Sequence, residues 1–335
     1  MAIPQPQIKS RGKRTTLIGL SSADLERKIF IMGKKGKRAA KGGDGTAKHG
    51  TGKARRERAA IQRDVEARIA TLFVKLEDEL KDVEMFGSFA EEEECPICFV
   101  PMPMSKQEIA YFPCCGKNIC SGCSFAQAKL SESKKDIPCA FCRTVTGTSL
   151  SDDKKMLQTR ADANEADAMV ALAGAYRGAL ALFTQDHLTA MRLYVGAAEQ
   201  GNLYALAEVA FNCHSGLGVP QNTKQAVQLA TAVAKKGCVH GHNLLGKYIL
   251  QTEYEQAVKH LVFAARGGHA DSMKGIKMFG SRRFGLSDDE VRDIEQDFED
   301  KMKLRWTEER QEAIEDGKKA RNGERSVMRS SIDIC

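Results

Sequence analysis

The stretch Ala190-Met191-Arg192-Leu193-Tyr194-Val195-Gly196-Ala197-Ala198-Glu199-Gln200-Gly201 decides the fold, because it recurs. Its frame, Ala-x6-Ala/Val-Ala-x2-Gly, returns as Ala226, Val233, Ala234, Gly237 and again as Ala257, Ala264, Ala265, Gly268, at offsets of 36 and 31 residues shared by all four positions. A second helical stretch precedes each copy, over Ala168 to Tyr176, Ala205 to Cys213 and Gly241 to Ile249, so each unit reads as two antiparallel helices. The small Ala and Gly residues let backbones approach closely, and each final Gly ends its helix in the left-handed conformation. Stacked units bury faces that one unit cannot, which predicts a helical solenoid over residues 160–285 and a mostly α chain.

Downstream, Ser287-Asp288-Asp289-Glu290 forms a capping box that opens a charged helix, with Val291, Ile294, Phe298 and Met302 on one side. This helix, assigned to 286–318, is expected to cap the array, ahead of a loose tail over 319–335. The terminal Cys335 lacks the three following residues of a prenylation signal. Within the array His187, His214, His240, His242, His260 and His269 fall near loops and helix ends without metal-site spacing, so solvated or capping roles are expected. Cys213 and Cys238 stand apart and read as small buried residues.

Upstream lies a cysteine cluster over 91–147: Cys95-x2-Cys98-x15-Cys114-Cys115-x4-Cys120-x2-Cys123-x15-Cys139-x2-Cys142. Eight of the chain's 11 cysteines are here. Three Cys-x2-Cys pairs and one adjacent pair supply thiolates for two tetrahedral zinc ions, each held by two pairs, because a two-residue spacing lets a tight turn aim both sulfurs at one ion. Both ions are expected to be structural, since four sulfurs leave no open position. Before the cluster, Ile61, Val65, Ile69, Leu72, Leu76, Leu80 and Val83 recur every three or four residues, which predicts an amphipathic helix within 56–90 that ends near Gly87. It could pair with a second copy of itself, but packing on its own chain is the expected use.

The cysteine segment resembles the RING finger family. Cys95-Pro96-Ile97-Cys98 matches the family's opening, Cys115-Gly116-Lys117-Asn118-Ile119-Cys120-Ser121-Gly122-Cys123 its centre and Pro138-Cys139-Ala140-Phe141-Cys142-Arg143 its close. Lys117 stands where most RINGs carry a histidine ligand, and an ammonium has no lone pair to give. Tyr111-Phe112-Pro113-Cys114-Cys115-Gly116 is instead similar to the all-cysteine RING of the Not-complex ubiquitin ligase, one residue shorter between its two cysteines. The resemblance implies a cross-brace, with Cys95, Cys98, Cys120 and Cys123 on one zinc and Cys114, Cys115, Cys139 and Cys142 on the other. It also implies ubiquitin ligation by positioning, without a catalytic nucleophile: a ubiquitin-conjugating enzyme docks at Ile97, with Ile119 and Pro138 nearby, and Arg143 bridges that enzyme and ubiquitin. Ala140 departs from the family's usual proline. The repeats, in turn, resemble the Sel-one-like, tetratricopeptide-related family, whose inter-helix loop is matched by Gly216-Leu217-Gly218-Val219-Pro220-Gln221-Asn222. That resemblance implies a surface for a protein substrate or adaptor. Gln251-Thr252-Glu253-Tyr254 replaces the Gly-rich loop in the third unit, and a fourth unit starts at His269 and trails off.

Composition bounds these readings. The chain has 335 residues, 42% hydrophobic and 28% charged, an ordinary globular balance for about two domains. Residues 1–60 carry 16 lysines and arginines against 4 acids, so the net charge of +7 is concentrated there. Residues 1–55 read as a disordered basic arm able to attract nucleic acid or an import receptor. Gly50-Thr51-Gly52-Lys53-Ala54 lacks the hydroxyl residue and preceding strand of a phosphate loop. No apolar run suits a membrane span or signal peptide, so a cytoplasmic or nuclear protein is expected. The sequence supports a RING-type ubiquitin ligase whose repeats recruit its target. A non-enzymatic zinc-binding scaffold is the rival reading, and an RNA-associated factor acting through the arm is a third.

Overall fold

The computed structural model describes residues 52–102, 109–130, 137–146, 150–178 and 183–303. The expected arm up to residue 51, the helix beyond Lys303, the tail and Cys335 lie outside them. The described chain is mostly helical. In order it forms α1 (Gly52–Glu79), β1 (Ile109–Phe112), β2 (Lys117–Cys120), α2 (Ser121–Leu130), β3 (Ile137–Pro138), β4 (Val145–Thr146) and α3 (Leu150–Asp162). Then follow α4 (Ala166–Gly178), α5 (His187–Glu199), α6 (Leu203–Ser215), α7 (Thr223–Lys235), α8 (Val239–Ile249), α9 (Tyr254–Arg266), α10 (Ala270–Phe279), a π turn (Gly280–Phe284) and α11 (Asp288–Lys303).

Helices α4 to α9 are the three expected antiparallel pairs, and the hydrogen bonds explain why the repeat has its particular frame. Gly201 N–H donates to Ala198 O at 2.9 Å and Asn202 N–H to Ala197 O at 3.2 Å. The same two bonds run from Gly237 to Ala234 and Cys238 to Val233, and from Gly268 to Ala265 and His269 to Ala264. This is the Schellman ending, in which a left-handed residue turns the chain back on the last helical carbonyls. The three glycines sit at φ +89°, +75° and +92°. The next residue caps the following helix: Asn202 accepts from Ala205 N–H and His269 from Ser272 N–H, while Cys238 makes no such bond. The capping box at Ser287 is also present, with Ser287 N–H on the Glu290 carboxylate at 2.7 Å and Glu290 N–H on Ser287 Oγ at 3.2 Å. The fourth unit does not trail off: α10 packs with α11 through Met273, Ile276 and Ile294.

Helix α3, absent from the sequence reading, lies ahead of the first pair and contributes Leu157 and Ala161 to the array's core. Helix α1 joins the same core through Val65, Ile69, Leu72 and Leu76, followed by Leu80. Its buried stripe is narrower than expected, since Ile61 and Val83 are each more than a third exposed. The helix stops at Glu79, earlier than its periodicity suggested, where the Lys235 ammonium takes the Leu80 carbonyl at 2.8 Å.

From Arg58 to Glu92 this segment runs along the array. Arg58 pairs with Asp186 at 2.9 Å, Arg68 grips Glu199 with two bonds, and Lys236 meets Glu79. Past the helix, Phe86 and Phe89 lie against Phe263 with ring centroids 5.8 and 4.5 Å away. Ala90 N–H donates to Gly237 O at 3.0 Å, and Glu92 pairs with Lys301 at 2.9 Å. The segment is thus a strap over three repeats and the terminal helix.

Two histidines depart from the solvated role expected of them. His242 and His260 are buried, their Nδ1 atoms 2.9 Å apart, beneath Phe86 and beside Phe263. At that distance one imidazole donates and the other accepts, so the two cannot both be charged. Burial pushes His242 down to about 3, with His260 adding to the effect, and His260 down to about 4. Both therefore titrate lower in the folded chain than in the unfolded one, near 6.5. Stability is fully present above pH 6.5 and is lost as pH falls toward 4, at up to about 1.4 kcal/mol per pH unit for each imidazole. His260→Leu should flatten that slope in urea titrations between pH 7 and 5. An unchanged slope would remove the pair as its source.

Gly237 and Gly201 form a matched test of the strap. A Cβ on either residue meets the left-handed penalty of about 1–2 kcal/mol. At Gly201 it enters open space, whereas at Gly237 it lies 2.5 Å from Ser88 O and 2.6 Å from Ala90 N. Gly237→Ala should lower the urea midpoint further, by roughly 1–3 kcal/mol more. Equal losses would show that the strap does not bear on Gly237.

Candidate metal centres

The cysteines sit on turns because a short turn brings close sulfurs together without a core beneath them. After Cys95, Phe99 N–H returns to Cys95 O at 2.8 Å and Cys95 N–H donates to Val100 O at 2.9 Å. After Cys139, Arg143 N–H returns to Cys139 O at 3.0 Å and Cys139 N–H donates to Thr144 O at 2.8 Å. The two turns are the same structure, and both place a non-glycine residue at positive φ: Phe99 at 55° and Arg143 at 58°.

A third copy explains the adjacent cysteines. Strands β1 and β2 pair antiparallel with Phe112 opposite Lys117, leaving Pro113 to Gly116 as the loop. Gly116 N–H returns to Phe112 O at 2.8 Å, with Gly116 at φ +71°. Phe112 therefore holds the place of Cys95 and Cys139, and Cys115 that of Cys98 and Cys142. Cys114 occupies the position of Ile97 and Phe141. The shared proline, Pro96 in one turn and Pro113 in the other, was the sequence signal for this equivalence.

These turns gather the eight sulfurs into two groups. Cys95, Cys98, Cys120 and Cys123 lie with their sulfurs within 4.8 Å of one another, as do Cys114, Cys115, Cys139 and Cys142. Cys120 ends β2 and Cys123 stands in the first turn of α2, while Cys139 and Cys142 lie between β3 and β4. The Cys98 and Cys120 sulfurs are 3.9 Å apart, and those of Cys115 and Cys139 3.5 Å. Thiolates about 2.3 Å from a shared tetrahedral ion would be about 3.8 Å apart, so each group could hold a metal ion. Backbone N–H groups aim at the sulfurs: Cys120 at Cys95, Cys123 at Cys120 and Phe141 at Cys139, at 3.4 to 3.5 Å. For Cys95 burial opposes ionisation, but the N–H groups of Cys120, Cys98 and Ile97 outweigh it and bring the thiol to about 7. The Thr144 hydroxyl and N–H draw the exposed Cys142 down to about 6. Burial pushes Cys98, Cys114, Cys115 and Cys123 up.

Three of the four expected contact residues reach the surface. Ile97 is 39% exposed, and Pro138 and Arg143 are exposed. Ile119 is 0% exposed and packs with Cys95, Phe112, Cys120 and Cys139 in the module's own small core, so it is a packing residue and not a contact. Its position in β2, flanked by the half-buried Asn118 and buried Cys120, turns its side chain inward.

Sequence reasoning also missed Arg160, on α3. Its Nε donates to Pro113 O at 2.7 Å and its Nη2 to Cys114 O at 3.0 Å, while Nη1 meets both oxygens of Glu165 at 2.8 Å. Nothing in the spacing of Arg160 and Glu165 announces this grip, which depends on how α3 lies against the hairpin.

Among the described residues no helix is long and apolar enough to cross a membrane. No family model matches the chain, and no curated protein is significantly similar to it. Among solved structures, a Sel1 repeat protein from Oxalobacter formigenes is 24% identical with a TM-score of 0.40, over 44% of this chain and 63% of that one. The protein c5321, a protective antigen present in uropathogenic Escherichia coli strains and displaying an SLR fold, is 20% identical with a TM-score of 0.41, over 47% of this chain and 34% of its own. The match thus spans less than two thirds of either solved chain.

Proposed function

We propose that this chain is a RING-type ubiquitin ligase, in which two structural zinc ions shape a docking module and the helical array recruits a protein substrate or adaptor. The observation that carries the reading is the interleaving of the cysteines, the first pair grouping with the third and the second with the fourth. Such a cross-brace ties distant turns into one body of about fifty residues, too few to build an ordinary core. Zinc suits an all-thiolate, closed, tetrahedral donor set and supplies folding energy there without entering the chemistry.

The chain's own residues act by positioning. Ile97 and Pro138 offer an apolar surface to the conjugating enzyme, and the exposed Phe99, Phe141 and Val145 extend the apolar character of the same module. Arg143 projects from the end of the last turn, where its guanidinium can bridge the conjugating enzyme and ubiquitin. The substrate lysine amine then attacks the thioester carbonyl, the C–N bond forms, and the enzyme's thiolate leaves. The ligase contributes orientation, which is worth several kcal/mol of barrier when the reacting atoms are held close.

The strained turn supplies a clean test. Arg143→Gly removes the cation and also relieves its left-handed backbone, about 1 kcal/mol in favour of the fold. Zinc-loaded protein should accelerate discharge of ubiquitin from a charged conjugating enzyme, and both Arg143→Gly and Ile97→Ala should cut that acceleration about tenfold or more. Metal analysis of both variants should still give two zinc ions per chain. No acceleration across a panel of conjugating enzymes, with both ions bound, would overturn the ligase reading in favour of a non-enzymatic zinc scaffold.

A further inference from the structure

We propose that Arg160 is a positioning residue for the second cysteine cluster: its fork holds the Pro113 to Gly116 loop so that Cys114 and Cys115 can share one ion, and it couples occupancy of that cluster to the seating of helix α3. The inference rests on the reading that the clusters hold metal.

The two clusters are built differently. The first draws Cys95 and Cys98 from a complete turn and Cys120 and Cys123 from a strand end and a helix start. The second must take two ligands from adjacent residues of one tight loop, where Phe112 occupies the place of the turn's first cysteine. Both sulfurs can face one ion only if the peptides of this turn are held in a particular rotation. Arg160 takes two consecutive carbonyls of that loop, those of Pro113 and Cys114. The peptide between Cys114 and Cys115 contains the second of these carbonyls. A planar, two-pronged donor can fix both at once, which a single ammonium cannot.

The fork is itself anchored. Leu157 and Ala161, on either side of Arg160, are buried in the array's core, and Glu165 grips the remaining guanidinium nitrogen. Gly116 completes the fit, because a Cβ there would lie 2.8 Å from Arg160 Nη1 and 2.9 Å from a Glu165 oxygen. Charge runs the same way: four thiolates around a divalent ion leave a net of about −2, and the guanidinium brings a positive charge to the loop that carries two of them. A contact that favours the loaded cluster must in turn be favoured by loading, by the same factor.

Cobalt(II) is the probe, added to the metal-free full-length chain while thiolate-to-cobalt absorption is followed. Wild type should take up two equivalents, and Cys115→Ser should identify the one that belongs to the second cluster. Arg160→Ala should weaken that equivalent about 10- to 100-fold, as loss of an outer-shell partner does, and leave the other unchanged. Arg160→Lys should fall between. Hydrogen exchange across 150–162 should slow on filling the second cluster in wild type and not in Arg160→Ala. Should Arg160→Ala fail to fold, Glu165→Gln keeps the carbonyl bonds, weakens the anchor at the fork's other end by removing its charge, and should give a smaller selective loss. Equal affinities in wild type and Arg160→Ala, or parallel weakening of both equivalents, would overturn the role of Arg160. Failure of wild type to bind cobalt at all would instead overturn the metal reading beneath it.

Discussion

The structure depends on the burial of the α1 stripe against an array that comes later in the chain. Val65, Ile69, Leu72, Leu76 and Leu80 are all buried there, and at about 1.5–3 kcal/mol for each such side chain the gross term rivals the net stability of a whole domain. The ion pairs beside them, Arg58 with Asp186 and Arg68 with Glu199, are partly exposed and worth about 0–1 kcal/mol each. They set the register of the strap more than its strength. Because the strap precedes the cysteine module and α3 follows it, the module leaves the array and returns to it, held at both ends.

How much of this was legible follows from the range of the forces involved. The helix pairs were readable because a Schellman ending is local: Ala197, Ala198, Gly201 and Asn202 contain the whole motif, and it repeats. The capping box at Ser287 was legible for the same reason. Helix α3 was not, since its sequence is charged and its buried residues are few, and it packs chiefly on the next helix, α4. The buried His242 and His260 were misread because a histidine near a predicted helix end carries no mark of what will cover it. Here the cover is Phe86, more than 150 residues earlier. In the candidate centres, spacing singled out the eight cysteines. It could not reveal that Ile119 faces inward, or that Arg160 reaches the loop from outside the module.

The three equivalent turns show one backbone device used with different side chains. Two use non-glycine residues at positive φ, Phe99 and Arg143, and both side chains are exposed. Conformational strain at the end of a metal-binding turn is thus accepted at two exposed positions. The third uses Gly116, where α3 presses in and no side chain could fit. Choice of residue at one turn position therefore separates the faces open to a partner from the face closed against the array.

The strap has a consequence for how this array can change over time. Helical repeats commonly vary in number, because a duplicated unit stacks on its neighbours as the original did. Here Arg58 and Arg68 meet the two ends of α5, and Glu79, Phe89 and Glu92 meet partners on later helices. One inserted helix layer would displace every later partner by roughly 8–10 Å, which the short link between Leu80 and Glu92 could not follow while keeping its aromatic and ionic contacts. The strap acts as a ruler, and a lineage that carries it can gain or lose a repeat beneath it only by remaking both.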